Sequence, residues 1–520
     1  MTSSAVSALV MLALVVAATG SWVGYSTAIP EGYALQASHN ASRLYTVTAP
    51  QGVAENFGYD SPVYLLVLEG SHYQMGYDYG ALVGQKVLDL ASLFLHNLVS
   101  KNAVVQAAVR EFCVWQYDAF LGKATPDIYA QELAGIGAAN PSALRDVKTI
   151  ITLANFPGTI TDLRYVLEKE IFGSDLAAAR TMDVMTMLDV ILIADGMDPA
   201  RARRIAAGLQ ALVDANYKSF GCSMFGIWGN RTQGGNVFSA RNLDWASSTG
   251  ANTGKVVTVF KPNDGGVAHA TFGFIGFYGA LAGVSAEGIS VHEANLEEGE
   301  AISFKGMAWV LRLRYIMEKS KHLDSALTLW NDEHNTVGFN FGIMSQPDRA
   351  GVVIETNDID SYIFHADSPV EAAATIEYEG KTVQYGFPMT DAVYRTNAAY
   401  APETRKYYSW SQSRMSNSEL RYLLIRDGFV NYAEDGVLVG MDQALNITAI
   451  VAAKSKQEPA GDPYHCPPMP QPTPTGSNIV SATNDLASLT SYVAWGNGNG
   501  ATWRAACCNT YAAFDLTKWF

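Results

Sequence analysis

The hydrophobic pattern of the chain changes its period once, near Phe220, and that change constrains the fold more than any other feature. From about His72 to Phe220 apolar residues recur at three- and four-residue steps, as in Leu82, Val83, Val87, Leu90, Leu93 and Phe94, and again from Met182 to Val213. This is the spacing of helices with one buried face. After Phe220 short strand-like runs follow one another, at 222–228, 236–242, 255–260, 267–274, 278–284 and 288–294. Turn signals such as Gly234-Gly235 and Asp264-Gly-Gly266 separate several of them. A helical stretch, Lys305 to Trp330, then two strands at 338–345 and 350–356 and a helix at about 416–427 complete the pattern. Runs of strands between helical stretches argue for α+β layers rather than a parallel doubly wound sheet. Residues 29–70 read as extended and turn-rich and end in the strand-like Val63–Leu68, while 461–476 are proline-rich and read as an exposed loop.

A chain of 520 residues that is 48% hydrophobic and only 16% charged can bury a large core. Its net charge of -15 lacks the basic stripe that a nucleic-acid partner requires. At the N-terminus, Ala5 to Ala18 is apolar apart from Ser7, the length of a signal-peptide core and short for a membrane span. Small residues follow, so residues 1–28 read as a signal peptide, cleaved after Gly20 or after Ala28. Three sequons, at Asn40, Asn230 and Asn446, are consistent with glycosylation on a secretory or lysosomal route.

The five cysteines are Cys113, Cys222, Cys466, Cys507 and Cys508. In an oxidising compartment an odd count leaves one thiol unpaired, and Cys222 is the candidate. The other four allow up to two bridges, one of which Cys113 could make between two halves of a cleaved chain. No Cys/His spacing reads as a metal site, and no cofactor motif is present; the glycine-rich Gly273–Gly279 lacks a P-loop lysine. Cys222 follows Gly221 and opens the strand-like stretch. Cleavage between them would give Cys222 a free α-amine, with an ordinary pKa of about 7.7–8.0, to act as base for its own thiol. Gly221, lacking a Cβ, can expose its carbonyl to that thiol. Arg241 and Asp244 supply a guanidinium to lower the thiol pKa and a carboxylate to orient the amine, as an ion pair. Residues three apart face opposite sides of a regular strand, so this pairing predicts a bend near Asn242. His292-Glu293 and His269 offer acid–base groups, but His292 lies on an alternating strand and reads as packed.

At these residues the chain resembles the choloylglycine-hydrolase-like N-terminal-nucleophile hydrolases, in particular the acyl-coenzyme A:6-aminopenicillanic acid acyltransferase family. The resemblance runs from Leu68-Glu-Gly-Ser-His72-Tyr-Gln74-Met-Gly76-Tyr-Asp-Tyr-Gly80 through Gly221-Cys222 and Arg241-Asn-Leu-Asp244 to Arg395-Thr-Asn397 and Ser413-Arg414. It implies an αββα four-layer sandwich, self-cleavage, and attack on a non-peptide amide. It further implies that Asn397 donates to the oxyanion and that Arg414 completes the polar floor. Gln74 and Ala398 depart from the family pattern, which more often has an acidic residue and a histidine there.

The chain is thus expected to comprise the signal peptide, a mainly helical pro-segment (29–221) and a catalytic body (222–520), with the two pieces staying associated. The expected enzyme is a self-processing cysteine hydrolase or acyltransferase without a cofactor, with Phe274, Phe277 and Tyr278 as acyl-pocket aromatics. Its partners would be a small acyl amide or a lipid, with a lipid surface as a further contact. Two rival readings are a phospholipase B-like or ceramidase-like lipid hydrolase on the same fold, and a secreted binding protein that keeps the fold without catalysis.

Overall fold

A computed structural model describes residues 25–155, 160–169, 182–214, 221–245, 247–296, 301–378, 381–408, 412–453, 477–498 and 502–520. Cys466, the proline-rich 461–476 stretch and nearly all of the signal segment lie outside the described residues.

The chain begins with strands β1 (Ser26–Ala28), β2 (Gly32–His39), β3 (Ser42–Thr48) and β4 (Tyr64–Gly70). The stretch with helical spacing forms α1 (His72–Leu98), α2 (Ala103–Ala119), α3 (Asp127–Ala139), α4 (Pro141–Ala154), α5 (Ile160–Leu167), α6 (Val184–Ala194) and α7 (Pro199–Asp214). Strands β5 (Gly221–Ile227), β6 (Phe238–Trp245), β7 (Lys255–Pro262), β8 (His269–Phe274), β9 (Ala282–Ser285) and β10 (Ile289–Asn295) follow. Helices α8 (Trp309–Lys319) and α9 (Leu323–Asn331) precede β11 (Phe339–Ser345), β12 (Ala350–Thr356) and β13 (Ser361–Phe364). The rest is α10 (Pro369–Ala372), β14 (Thr375–Tyr378), β15 (Lys381–Gln384), β16 (Ala392–Arg395), α11 (Pro402–Arg405), α12 (Gln412–Glu434), α13 (Met441–Ala453), β17 (Ser477–Asp485), β18 (Thr490–Trp495) and β19 (Thr510–Asp515).

Two sheets stack face to face. One is seven-stranded, in the order β1-β19-β18-β17-β6-β5-β16, and the other ten-stranded, in the order β13-β12-β11-β10-β9-β8-β7-β4-β3-β2. Their inner faces meet where β5 and β6 lie on β10 and β11. Helices α12 and α13 cover the outer face of the first sheet, and α1 and α8 cover that of the second. The layer order is helix, sheet, sheet, helix. Because both faces of β6 and β10 are covered, every residue of these strands is buried, which is why they lack a clean polar alternation.

The segment before Gly221 is woven into both sheets. Strand β4 pairs in parallel with β7, from Tyr64 opposite Val256 to Gly70 opposite Pro262. Strand β1 pairs in parallel with β19, so a chain cut after Ala28 would lose this edge strand and one cut after Gly20 would keep it. Helix α1 starts at the cap Ser71, whose hydroxyl accepts the Gln74 N–H at 3.3 Å. The glycines after it bring α1 against α3: a Cβ on Gly76 would sit 1.9 Å from the Glu132 carbonyl oxygen. That contact gives the Gly-rich stretch at the start of α1 a packing reason.

A buried ionic knot also joins the two halves. Arg314 of α8 holds both oxygens of Glu132 of α3, at 2.5 and 2.7 Å. His72 of α1 contacts Glu318 of α8 at 2.7 Å, and the Tyr278 hydroxyl donates to Glu132 at 2.6 Å. Cys113 is a free buried thiol on α2, as is Cys507 near the C-terminus. The expected bridge through Cys113 is therefore not formed.

Candidate active site

Cys222 is the second residue of β5 and is fully buried between the two sheets. Alternation along β5 and its antiparallel pairing with β6 put Cys222, Leu243, Met224 and Arg241 on one face, because Cys222 lies opposite Leu243 and Met224 opposite Arg241. That face looks onto β10. The Arg241 guanidinium donates to the Cys222 sulfur at 3.5 Å. Its carboxylate partner is Glu293 of β10, bound through Nη2, while Nε donates to the Glu293 carbonyl at 3.2 Å. Glu293 also stands 3.9 Å from the Cys222 sulfur.

This corrects the expected Arg241–Asp244 pair. Strand β6 does not bend: it pairs regularly with β5 from Phe238 to Asp244, so Arg241 and Asp244 stay on opposite faces. The irregularity falls on the neighbouring strand, β17, where the register shifts between Asn478, opposite Asp244, and Val480, opposite Leu243. Asp244 reaches the site from the other face, at the start of β5. It lies opposite Gly221, and a Cβ on Gly221 would meet the Asp244 Cβ at 3.2 Å and its Oδ2 at 3.8 Å. Glycine at 221 therefore lets the carboxylate stand beside the Gly221–Cys222 bond.

Asn397 lies in the loop after β16. Its Oδ1 accepts the Cys222 backbone N–H at 2.8 Å, and its Nδ2 donates to the carbonyl and side-chain oxygens of Asn295 at 2.8 and 2.9 Å. Its amide is thus oriented from both ends, with the oxygen, not the nitrogen, on Cys222. Arg421 of α12 donates to that same Oδ1 at 2.9 Å and to the Cys222 carbonyl. The Arg414 side chain lies outside the described residues; the arginine brought to Cys222 is Arg421, about two turns further along the helix.

The electrostatics favour a protonated thiol in the uncut chain. Burial pushes the Cys222 thiol up and the Glu293 carboxylate adds to this, against the pull of Arg241 and Arg421. Burial likewise raises Glu293, with Arg241 opposing. His292, on the far face of β10 from Glu293, is buried with neither ring nitrogen hydrogen-bonded, and burial lowers its pKa to about 3, so it is a neutral packed residue. Glu293, which the sequence offers only beside His292 as an acid–base group, is the carboxylate that Arg241 holds, and Arg421 is the residue that sequence alone missed; a glutamate inside a strand with no exposed position signals a paired charge.

The aromatic candidates separate. Phe274 and Phe277 join Trp245 and Phe94 in one cluster, with Trp245–Phe94 centroids 5.0 Å apart and Trp245–Phe277 centroids 6.1 Å apart. This cluster adjoins Asp244 at the end of β6. Tyr278 turns away into the Glu132–Arg314 knot, because its hydroxyl needs a buried acceptor. The sequons differ as well. Asn230 is exposed at the far end of β5 and lines a cavity of about 360 Å³ with Arg231, Asp391 and Val437. Asn40 donates to Asp78 at 2.8 Å, and Asn446, half-buried on α13, donates to the Tyr432 hydroxyl at 2.9 Å. Among the described residues no cluster of His, Cys, Asp or Glu is arranged to hold a metal, and no helix is long and apolar enough to cross a membrane.

No protein-family model matches the sequence, and no curated protein is detectably similar to it. Solved structures are similar to it at low identity. An N-acylethanolamine-hydrolyzing acid amidase ortholog from Caenorhabditis elegans matches at 11% identity and a TM-score of 0.32, covering 51% of this chain and 93% of that one. A conjugated bile acid hydrolase from Clostridium perfringens matches at 11% and 0.35, covering 57% and 93%. A penicillin V acylase from Agrobacterium tumefaciens matches at 11% and 0.25, covering 57% and 87%. The likeness does not single out the acyltransferase family that the motifs resemble, and the strand order and layering above, not these overlays, define the fold.

Proposed function

We propose that this protein is a self-processing cysteine hydrolase of the N-terminal-nucleophile class, acting on a non-peptide amide through a Cys222 thioester. The observation that carries this reading is the set of contacts on one residue: Cys222 has its nitrogen on Asn397 and its sulfur on Arg241, one residue after a glycine packed against Asp244.

In the first reaction the Cys222 sulfur attacks the Gly221 carbonyl carbon. The C–N bond breaks as the C–S bond forms, and the nitrogen leaves as the α-amine of Cys222. Water then hydrolyses the thioester and frees the Gly221 carboxylate. In the second reaction the α-amine takes the thiol proton as the sulfur attacks the substrate carbonyl, and passes it to the departing amine. Water, or an amine acceptor in a transferase, releases the acyl group. Asp244 and Asn397 Oδ1 hold the α-amine, Arg241 stabilises the thiolate, and Asn397 Nδ2 serves the oxyanion once substrate displaces Asn295. The Trp245–Phe277–Phe94 cluster receives the acyl chain. The signal-like N-terminus and the sequons support a secretory or lysosomal site of action.

The test is acylation by para-nitrophenyl acetate followed by peptide mapping. The expected adduct is a single acetyl group on a peptide that begins at Cys222. Acetylation elsewhere, with Cys222 unmodified, would contradict the proposal.

A further inference from the structure

Behind Asn397 lies a second buried carboxylate. The loop from β16 to α11 carries Asn397 and is clamped along its length. Asn340 of β11 donates to the carbonyls of Thr396 and Ala398, each at 3.0 Å, one on either side of Asn397. The Tyr385 and Tyr408 hydroxyls donate to the carbonyls of Ala399 and Asn397. A further clamp is Glu355 of β12, which is fully buried. Its carboxylate accepts the backbone N–H of Tyr400 at 2.7 Å, the N–H of Ala401 at 2.9 Å, and the Thr404 hydroxyl.

We propose that Glu355 is the positioning residue of the Asn397 loop: ionised, it fixes the loop so that Asn397 meets Cys222, and protonated, it lets the loop shift. This inference rests on the function proposed above. Glu355 touches neither Cys222 nor any reacting atom, so it acts through Asn397. The ionised carboxylate accepts from all three donors at once; protonation turns one of its oxygens into a donor, so the Thr404 hydroxyl must reverse its role and the oxygen shared by the Ala401 N–H and that hydroxyl is a poorer acceptor. The bonds from Asn340, Tyr385 and Tyr408 are neutral and go to backbone carbonyls, so they do not change over ordinary pH.

The charged and titratable groups around Glu355 come from each element packed on it. Arg395 of β16 faces it and is itself paired with Glu371 of α10 at 2.8 Å. The Tyr385 phenol also faces the Glu355 carboxylate and is paired with Arg405 of α11, while the Tyr400 phenol faces Arg395. Burial raises Glu355 to about 7, with the Thr404 hydroxyl, Arg395 and the two N–H groups opposing. The clamp is therefore complete above that value and weakens as pH falls through it.

The experiment follows the acylation of processed protein by para-nitrophenyl acetate across pH. The wild type should show kcat rising with pH around a midpoint of about 7. Glu355→Gln presents an amide N–H₂ to the same groups, so kcat should fall by about 100-fold with KM unchanged and the limb near 7 lost, leaving only the rise set by the Cys222 α-amine. Thr404→Val removes one hydrogen bond to the charged form, so the midpoint should move to higher pH; it tests the inference even if Glu355→Gln does not fold. An acylated wild type whose limb near 7 survives in Glu355→Gln, or stays in place in Thr404→Val, overturns the inference alone. A wild type that is not acylated at Cys222 overturns the proposed function, and this inference with it.

Discussion

Replacing Arg241 by Met removes the donor that neutralises Glu293 while keeping a side chain of similar reach. Both partners are almost sealed from water, at 1% and 3% exposure. Breaking a buried pair from one side costs about 3–5 kcal/mol, because the surviving charge stays buried without a partner. For 520 residues the unfolding entropy is on the order of 1.1 kcal/mol/K. The melting temperature should therefore fall by about 3–5 °C, which scanning calorimetry resolves. Adding Glu293→Gln removes the orphaned charge and should restore at least half of the loss. The pH dependence gives a second arm. Glu293 is already raised by burial and held back by Arg241, so losing Arg241 raises it further. A carboxyl with a higher pKa in the folded than in the unfolded state favours folding below its unfolded pKa, and this contribution is lost as pH rises through the folded value. The penalty should thus be small in acid and largest near neutrality. An Arg241→Met protein melting within about 1 °C of wild type at neutral pH, or a double variant no more stable than the single, would refute the buried pair.

Other outcomes follow from the same geometry. Gly221→Ala crowds Asp244, its Cβ arriving 3.2 Å from that of Asp244, and pulse–chase should show precursor processing slowed by about tenfold, roughly 1.4 kcal/mol on the barrier. Asn397→Ala should lower the rate of Cys222 acylation by about 100–1000-fold in stopped-flow assays. With Cys113 a free buried thiol, non-reducing and reducing gels of Cys113→Ala and wild type should show the same chain separation; a chain pair held together only when Cys113 is present would contradict this.

The parts of the site that sequence made legible are local ones. Gly221-Cys222 stands at the change of hydrophobic period, and Arg241 shares a face with Cys222 because the two strands are neighbours in a hairpin-like pair. The pairing of Glu293 with Arg241, and Arg421 altogether, escaped because each arrives from another layer, and nothing nearby in sequence marks a contact across the sheet interface. The expected bend in β6 failed for a related reason: parity along a strand is rigid, and the chain met it by supplying a second carboxylate from β10. Tyr278 was read by its ring, whereas its hydroxyl decides its place. In residues 29–70 the extended character was visible, but not that β4 pairs in parallel with β7, since both strands of a pair must be known before their register can be.

The most direct measurement is N-terminal sequencing of the purified protein beside its Cys222→Ser and Cys222→Ala variants. The wild type should yield a chain beginning at Cys222 that co-purifies with the preceding segment, held by the β4–β7 pairing and the Arg314–Glu132 knot. Cys222→Ala should remain whole. A wild type that stays uncut, or a Cys222→Ala protein cut at the same bond, would contradict Cys222 as a nucleophile made by self-cleavage.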